Sequence, residues 1–106
     1  MDDKVVLCAS SAYSKKYYFN EEFNSLPDTV KKELQIMCVT YTEDIGGILT
    51  VEFSETGELE LTTSADEMDL LYDEIGSVLK IKQIRQQKEE LFEALEMFFK
   101  VFYCNE

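Results

Sequence analysis

Residues 48–62 read ILTVEFSETGELELT, and this stretch is the clearest indication of the fold. Apolar side chains alternate with polar ones on both sides of a turn at residues 54–57. Alternation with a period of two is typical of a strand with one buried face, and a short turn containing glycine joins antiparallel strands. The stretch therefore predicts a β-hairpin with one apolar face and one acidic face, the latter formed by Glu52, Glu58 and Glu60.

Two shorter strands and a helix are predicted before this hairpin. Residues 5–9 are apolar and β-branched, and residues 15–19 are predicted to pair with them. The pattern leaves open whether this first hairpin joins the main sheet. Pro27 suits the first turn of a helix, with Ser25 as its N-cap, and the pair Gly46-Gly47 ends that helix.

The remainder of the chain is predicted to be helical. Ser64 and Glu67 match a capping box, with Asp66 as an alternative cap. One helix face is apolar, formed by Met68, Leu71, Ile75, Val78 and Leu79. A final helix is predicted over residues 78–103, and the pattern does not decide whether 66–103 is one kinked helix or two.

The element order is thus β-β-α-β-β-α-α. It predicts a two-layer α+β fold, an antiparallel sheet with helices packed on one face. At 106 residues, with 45% hydrophobic side chains, the chain is expected to be a single domain spanning 1–106.

The net charge of the chain limits the classes of partner that it can bind. A net charge of −12 disfavours direct binding to nucleic acid or to an anionic membrane surface. No stretch reaches the roughly 18 apolar residues of a membrane span, and the acidic start does not resemble a secretory signal. Three scattered cysteines are typical of a reducing compartment. A cytoplasmic protein is therefore expected.

The sequence lacks the usual catalytic motifs. It has no histidine, which excludes Ser-His-Asp and Cys-His arrangements, and no glycine-rich phosphate loop. The cysteines do not form a zinc-binding pattern. No enzyme activity and no cofactor are expected, and catalysis by carboxylates alone is the less favoured alternative.

Asp66, Asp69 and Asp73 are the candidate metal ligands, because their spacing places them on one side of a helix. Hard cations such as Mg²⁺ or Ca²⁺ bind several oxygen ligands. The favoured interpretation is a solvated acidic helix face, which needs no metal.

Opposite charges are segregated along the chain. Residues 43–74 hold eleven acids and no base, and four bases then follow, at Lys80, Lys82, Arg85 and Lys88. The acidic block could dock a basic protein or imitate nucleic-acid phosphates. The favoured alternative is that the bases lie against the acidic hairpin and offset its self-repulsion.

Aromatic residues surround the last helix. Phe98 and Phe102 continue the stripe of Leu91 and Leu95, which core packing explains. Phe92, Phe99 and Tyr103 form a second stripe, predicted to be a partner surface or a homodimer seam.

A resemblance to a known family rests on residues 42–49, 72–76, 79–84 and 95–97. In these the chain resembles a family of short, uncharacterised acidic proteins from clostridial bacteria. The resemblance implies a stand-alone bacterial protein and no assigned activity, cofactor or site residue.

These observations predict a non-enzymatic protein-interaction domain: a small acidic adaptor, inhibitor or chaperone-like binder. A protein partner, basic where the acidic face is used, and a homodimer are expected. The alternative is a metal- or small-ligand-binding domain that uses the helix carboxylates.

Overall fold

A computed structural model describes residues 4–102 of the chain. The elements, in chain order, are β1 Val5–Ser11, β2 Lys16–Phe19, a short 3-10 helix Glu21–Phe23, α1 Asp28–Asp44, β3 Ile48–Phe53, β4 Leu59–Ser64, α2 Glu74–Gln87 and α3 Glu89–Phe102. This order confirms the predicted α+β arrangement.

The four strands form one antiparallel sheet in the order β2-β1-β3-β4. The predicted central hairpin is β3 and β4, with Val51 opposite Leu61. The first hairpin joins the same sheet, because β1 pairs with β3 and sets Ser10 opposite Leu49. A register shift between Val6 and Cys8 bends β1, and Leu7 and Cys8 are both fully buried as a result.

The core lies between one face of the sheet and the helices. From α1, Leu34, Cys38 and Tyr41 are fully buried, as are Leu49 and Val51 of β3. The same cluster includes side chains of α2 and α3, among them Ile84, Phe92, Leu95 and Phe99. Within residues 4–102 the sheet and the helices share this one core, which is the predicted two-layer arrangement.

Helix α1 begins at Asp28, and the predicted cap at Ser25 is wrong. Pro27 occupies the N-cap position and makes no side-chain hydrogen bond there. Its carbonyl accepts from the backbone N–H groups of Val30 and Lys31, both at 3.0 Å. Proline supplies the preset φ angle with which a helix can begin, so Ser25 is not needed.

The C-terminal half contains two helices, and the predicted start near Ser64 or Asp66 is wrong. Ser64 still belongs to β4, where it lies opposite Ile48. Helix α2 begins after Asp73, whose side chain accepts from the N–H of Gly76 at 2.8 Å. Gly76 therefore lies in the first turn and causes no break. The helices separate instead at Lys88, which has φ −111° and ψ 21°.

No helix in residues 4–102 is both long enough and apolar enough to cross a membrane.

Candidate interaction site

The acidic hairpin face is partly neutralised within the chain. The carboxylate of Glu52 accepts from the Thr62 hydroxyl at 2.7 Å and lies 3.6 Å from the Lys4 amine. Glu60 pairs with the same Lys4 amine at 3.1 Å, whereas Glu58 is exposed. Glu52 is only 9% exposed. A partner that approaches this face therefore meets one free carboxylate of the three.

The three aspartates proposed as metal ligands are engaged in local turns. Asp66 accepts from the N–H of Met68 at 2.9 Å, and Asp69 accepts from the N–H of Leu71 at 3.2 Å. Asp73 caps α2 as described above. Among residues 4–102, no group of three or more His, Cys, Asp or Glu side chains is arranged to hold a metal ion.

The predicted contact stripe of α3 is wrong for Phe92 and Phe99, whereas Leu95 of the predicted core stripe is buried as expected. Phe92 and Phe99 are buried, at 5% and 3% exposure, and the ring of Phe99 stacks on Phe53 with centroids 4.3 Å apart. Phe98 is half-buried and Phe102 is 69% exposed. Phe92 and Phe99 lie on the side of α3 that faces the sheet, so they offer no free surface to a partner. Tyr103 lies outside the described residues.

The largest run of exposed apolar side chains lies elsewhere, at the start of α2. Exposure ranges from 62% at Leu79 to 93% at Leu71. We call this surface the α2 patch, and its members are Met68, Leu70, Leu71, Ile75, Val78 and Leu79. Single exposed apolar residues are ordinary, but six of them within residues 68–79 are typical of a contact surface.

Three hydroxyl groups hold α2 with this patch outward. The Tyr41 hydroxyl of α1 lies 2.6 Å from Oγ of Ser77, and the Tyr72 hydroxyl donates to the same Oγ at 2.9 Å. Ser77 is therefore the inward residue of the first turns of α2, and it is 4% exposed. Burial raises the pKa of the Tyr41 phenol to about 12, so the group is a neutral hydrogen-bonding partner at physiological pH.

The segment before α2 is held by polar contacts. The Tyr13 hydroxyl donates to the Asp69 carboxylate at 2.7 Å and accepts from the N–H of Asp66 at 2.9 Å. A Cβ on Gly47 would lie 2.7 Å from the ring of Tyr72, so only glycine permits this approach. The segment thus binds the domain through polar and aromatic groups and exposes Leu70 and Leu71.

The charges around the patch are separated along α2. The start of the helix is acidic at Asp73 and Glu74, while the bases follow one turn and more later. Lys80 pairs with Asp44 at 3.4 Å and Lys88 pairs with Glu33 at 2.8 Å. Both acids belong to α1, so Lys80 and Lys88 do not lie against the hairpin as predicted.

The other two bases of this group, Arg85 and Lys82, do not pair with acids of α1. Arg85 donates to the backbone carbonyl of Leu59 in β4 at 3.2 Å. Lys82 is exposed and forms no ion pair with another residue of 4–102. One cation beside the α2 patch is thus available to a partner.

The buried thiol of Cys38 is not a reactive group. Sγ of Cys8 lies 3.8 Å from Sγ of Cys38, and both residues are fully buried. The contact with Cys8, together with burial, raises the pKa of the Cys38 thiol. A protonated, buried thiol is a poor nucleophile.

Sequence reasoning recognised the apolar face of α2 but not its orientation. Five of the six patch residues share a helix face in the pattern, and such a face usually turns inward. The outward orientation follows from Ser77, whose hydroxyl binds those of Tyr41 and Tyr72 inside the domain. Periodicity does not indicate it, because the pattern does not show that Tyr41 of α1 lies next to Ser77.

A family model described as "Family of unknown function (DUF6145)" matches residues 4–106 of the chain. A search of curated proteins found no match. A search of solved structures also found none.

Proposed function

Because the chain belongs to this family of unknown function, we propose from its geometry that it is a non-enzymatic protein-interaction domain of the adaptor or inhibitor type. Its contact surface is the α2 patch. The single observation that carries the proposal is the outward orientation of Ile75, Val78 and Leu79. A cytoplasmic location and a clostridial source stay predictions from the sequence.

The energy available at the patch supports a binding role. Fully burying one side chain of this kind stabilises by about 1.5–3 kcal/mol. Association costs roughly 4–15 kcal/mol in lost motional freedom. Burial of half the patch would therefore offset the lower end of that cost, and burial of all six, about 9–18 kcal/mol, would be comparable with the whole range.

The way the patch is held also supports binding. Its side chains extend from a helix and a segment that are fixed by the Ser77 and Tyr13 hydrogen bonds. Ordering this surface costs little entropy on binding, because its backbone is already placed. The acidic hairpin face and the buried stripe of α3 lack this combination of exposure and rigid support.

Site-specific photo-crosslinking tests the proposal. A benzophenone amino acid replaces Leu79, and the protein is irradiated in native lysate. The matched control carries the same group at Met97 of α3, which is similarly exposed at 69%. We expect a defined covalent adduct with a protein from position 79 and a much weaker one from position 97. Equal yields, or no adduct at 79, would contradict a contact surface at the patch.

A further inference from the structure

We propose that the partner of the α2 patch is a second copy of this chain, paired through antiparallel α2 helices across a two-fold axis. The inference rests on the proposed function, since it names the occupant of the same surface. The placement of charge along α2 and the position of its apolar residues both favour this pairing.

The two ends of the patch are complementary to each other. Glu74 and Lys82 each lie four residues from Val78, on opposite sides of it. Both are exposed, and neither forms an ion pair with another residue of 4–102. In an antiparallel pair with its axis near Val78, Glu74 of one copy faces Lys82 of the other. The two-fold symmetry repeats this contact, so each dimer has two such charge pairs.

The apolar side chains fit the same arrangement. Ile75, Val78 and Leu79 lie at helical spacing on the outer face of α2. Around the axis they would meet the same residues of the second copy, with the charged contacts at either end. An isologous contact of this kind closes at two copies and leaves no patch free to extend a chain of subunits.

The total charge opposes self-association but does not decide it. Each copy carries −12, yet charges further apart than about 8 Å are largely screened at physiological salt. Local complementarity at α2 therefore governs the contact. A generally basic partner would satisfy Glu74 but would be repelled by Lys82 at the other end.

Charge exchange tests this geometry, with molar mass measured by light scattering during gel filtration. The wild-type protein is expected at twice 12.3 kDa. Glu74→Lys places like charges opposite each other twice, and Lys82→Glu does the same with opposite sign. Each variant alone should dimerise about tenfold more weakly or worse. An equimolar mixture should recover the dimer, because both contacts between unlike copies are attractive.

The controls are Glu90→Lys and Lys32→Glu, which make the same charge changes at exposed positions off the patch. Both should remain dimeric, and circular dichroism should show all variants folded. A monomeric wild-type protein, a mixture that stays monomeric, or single variants that dimerise normally would each overturn the proposed pairing. The crosslink at position 79 separates this from the proposed function: an adduct with a different protein keeps the patch as a contact surface and rejects the second copy.

Discussion

The hydroxyl oxygen of Tyr41 in α1 lies 2.6 Å from Oγ of Ser77 in α2, inside the domain. A short polar side chain thus occupies the position where an amphipathic helix usually places an apolar one. Ile75, Val78 and Leu79 consequently point to solvent. The contact between Tyr41 and Ser77 thus leaves the apolar face of α2 exposed to solvent.

The Tyr41–Ser77 contact should contribute measurably to stability. Ser77→Ala removes the shared partner of two hydroxyls, and we expect a loss of about 1 kcal/mol in the free energy of unfolding. Urea denaturation measures it. Ser25→Ala is the matched control: Ser25 is exposed and does not cap α1, so its change should stay within about 0.5 kcal/mol.

The same tyrosine should make stability fall at alkaline pH. An unfolded phenol ionises near pH 10, whereas the Tyr41 phenol ionises only near 12. Between these values the unfolded state binds fewer protons, so stability decreases as pH rises and is unaffected below pH 10 by this group. Melting temperatures from pH 8 to 12 should fall less steeply in Tyr41→Phe. Parallel curves for the two proteins would count against the buried phenol.

Phe99 and Phe102 of α3 should differ in how much stability is lost on truncation. Phe99 stacks on Phe53 in the core, so Phe99→Ala should cost about 3–5 kcal/mol. Phe102 is 69% exposed, and Phe102→Ala should cost far less. Thermal unfolding of both variants decides the point. A stable Phe99→Ala protein would restore the sequence-based assignment of this stripe to a contact surface.

The neighbouring glycines Gly46 and Gly47 test how closely Tyr72, in the segment before α2, packs on the domain. A Cβ on Gly47 would lie 2.6 Å from the Ser64 carbonyl oxygen, while a Cβ on Gly46 would have no atom within 4 Å. Both residues have positive φ, which costs about 1–2 kcal/mol for alanine. Gly47→Ala should therefore destabilise clearly more than Gly46→Ala in chemical denaturation. Equal losses would mean that Tyr72 and β4 do not pack closely on Gly47.

The sequence predicts the sheet better than it predicts the surfaces. Alternation in residues 48–62 determines which face of β3 and β4 is apolar, and that face is buried as expected. The orientation of a helix depends on which residues lie opposite it. Phe99 faces inward because Phe53 and Phe23 are there, and Ser77 faces inward because Tyr41 is there. Neither neighbour can be identified from periodicity.

The start of α2 is a second feature that the sequence pattern does not predict correctly. Ser64 has the spacing of a capping residue, but β4 continues through it because Ile48 pairs with it across the sheet. Asp73 then caps the helix instead. Local capping signals compete with strand pairing, and the pairing is set by residues far away in the chain. The α2 patch could be recognised as apolar from the sequence, but not as exposed.

Isotope-filtered nuclear Overhauser spectroscopy on an equimolar mixture of ¹³C-labelled and unlabelled protein tests the pairing through α2, because it detects only contacts between copies. We expect cross-peaks between the methyl groups of Ile75, Val78 and Leu79 in one copy and the same region of the other. Those methyl shifts should also move on dilution, while the exposed Met97 methyl should not. Absence of these cross-peaks, with patch methyl shifts independent of concentration, would contradict it.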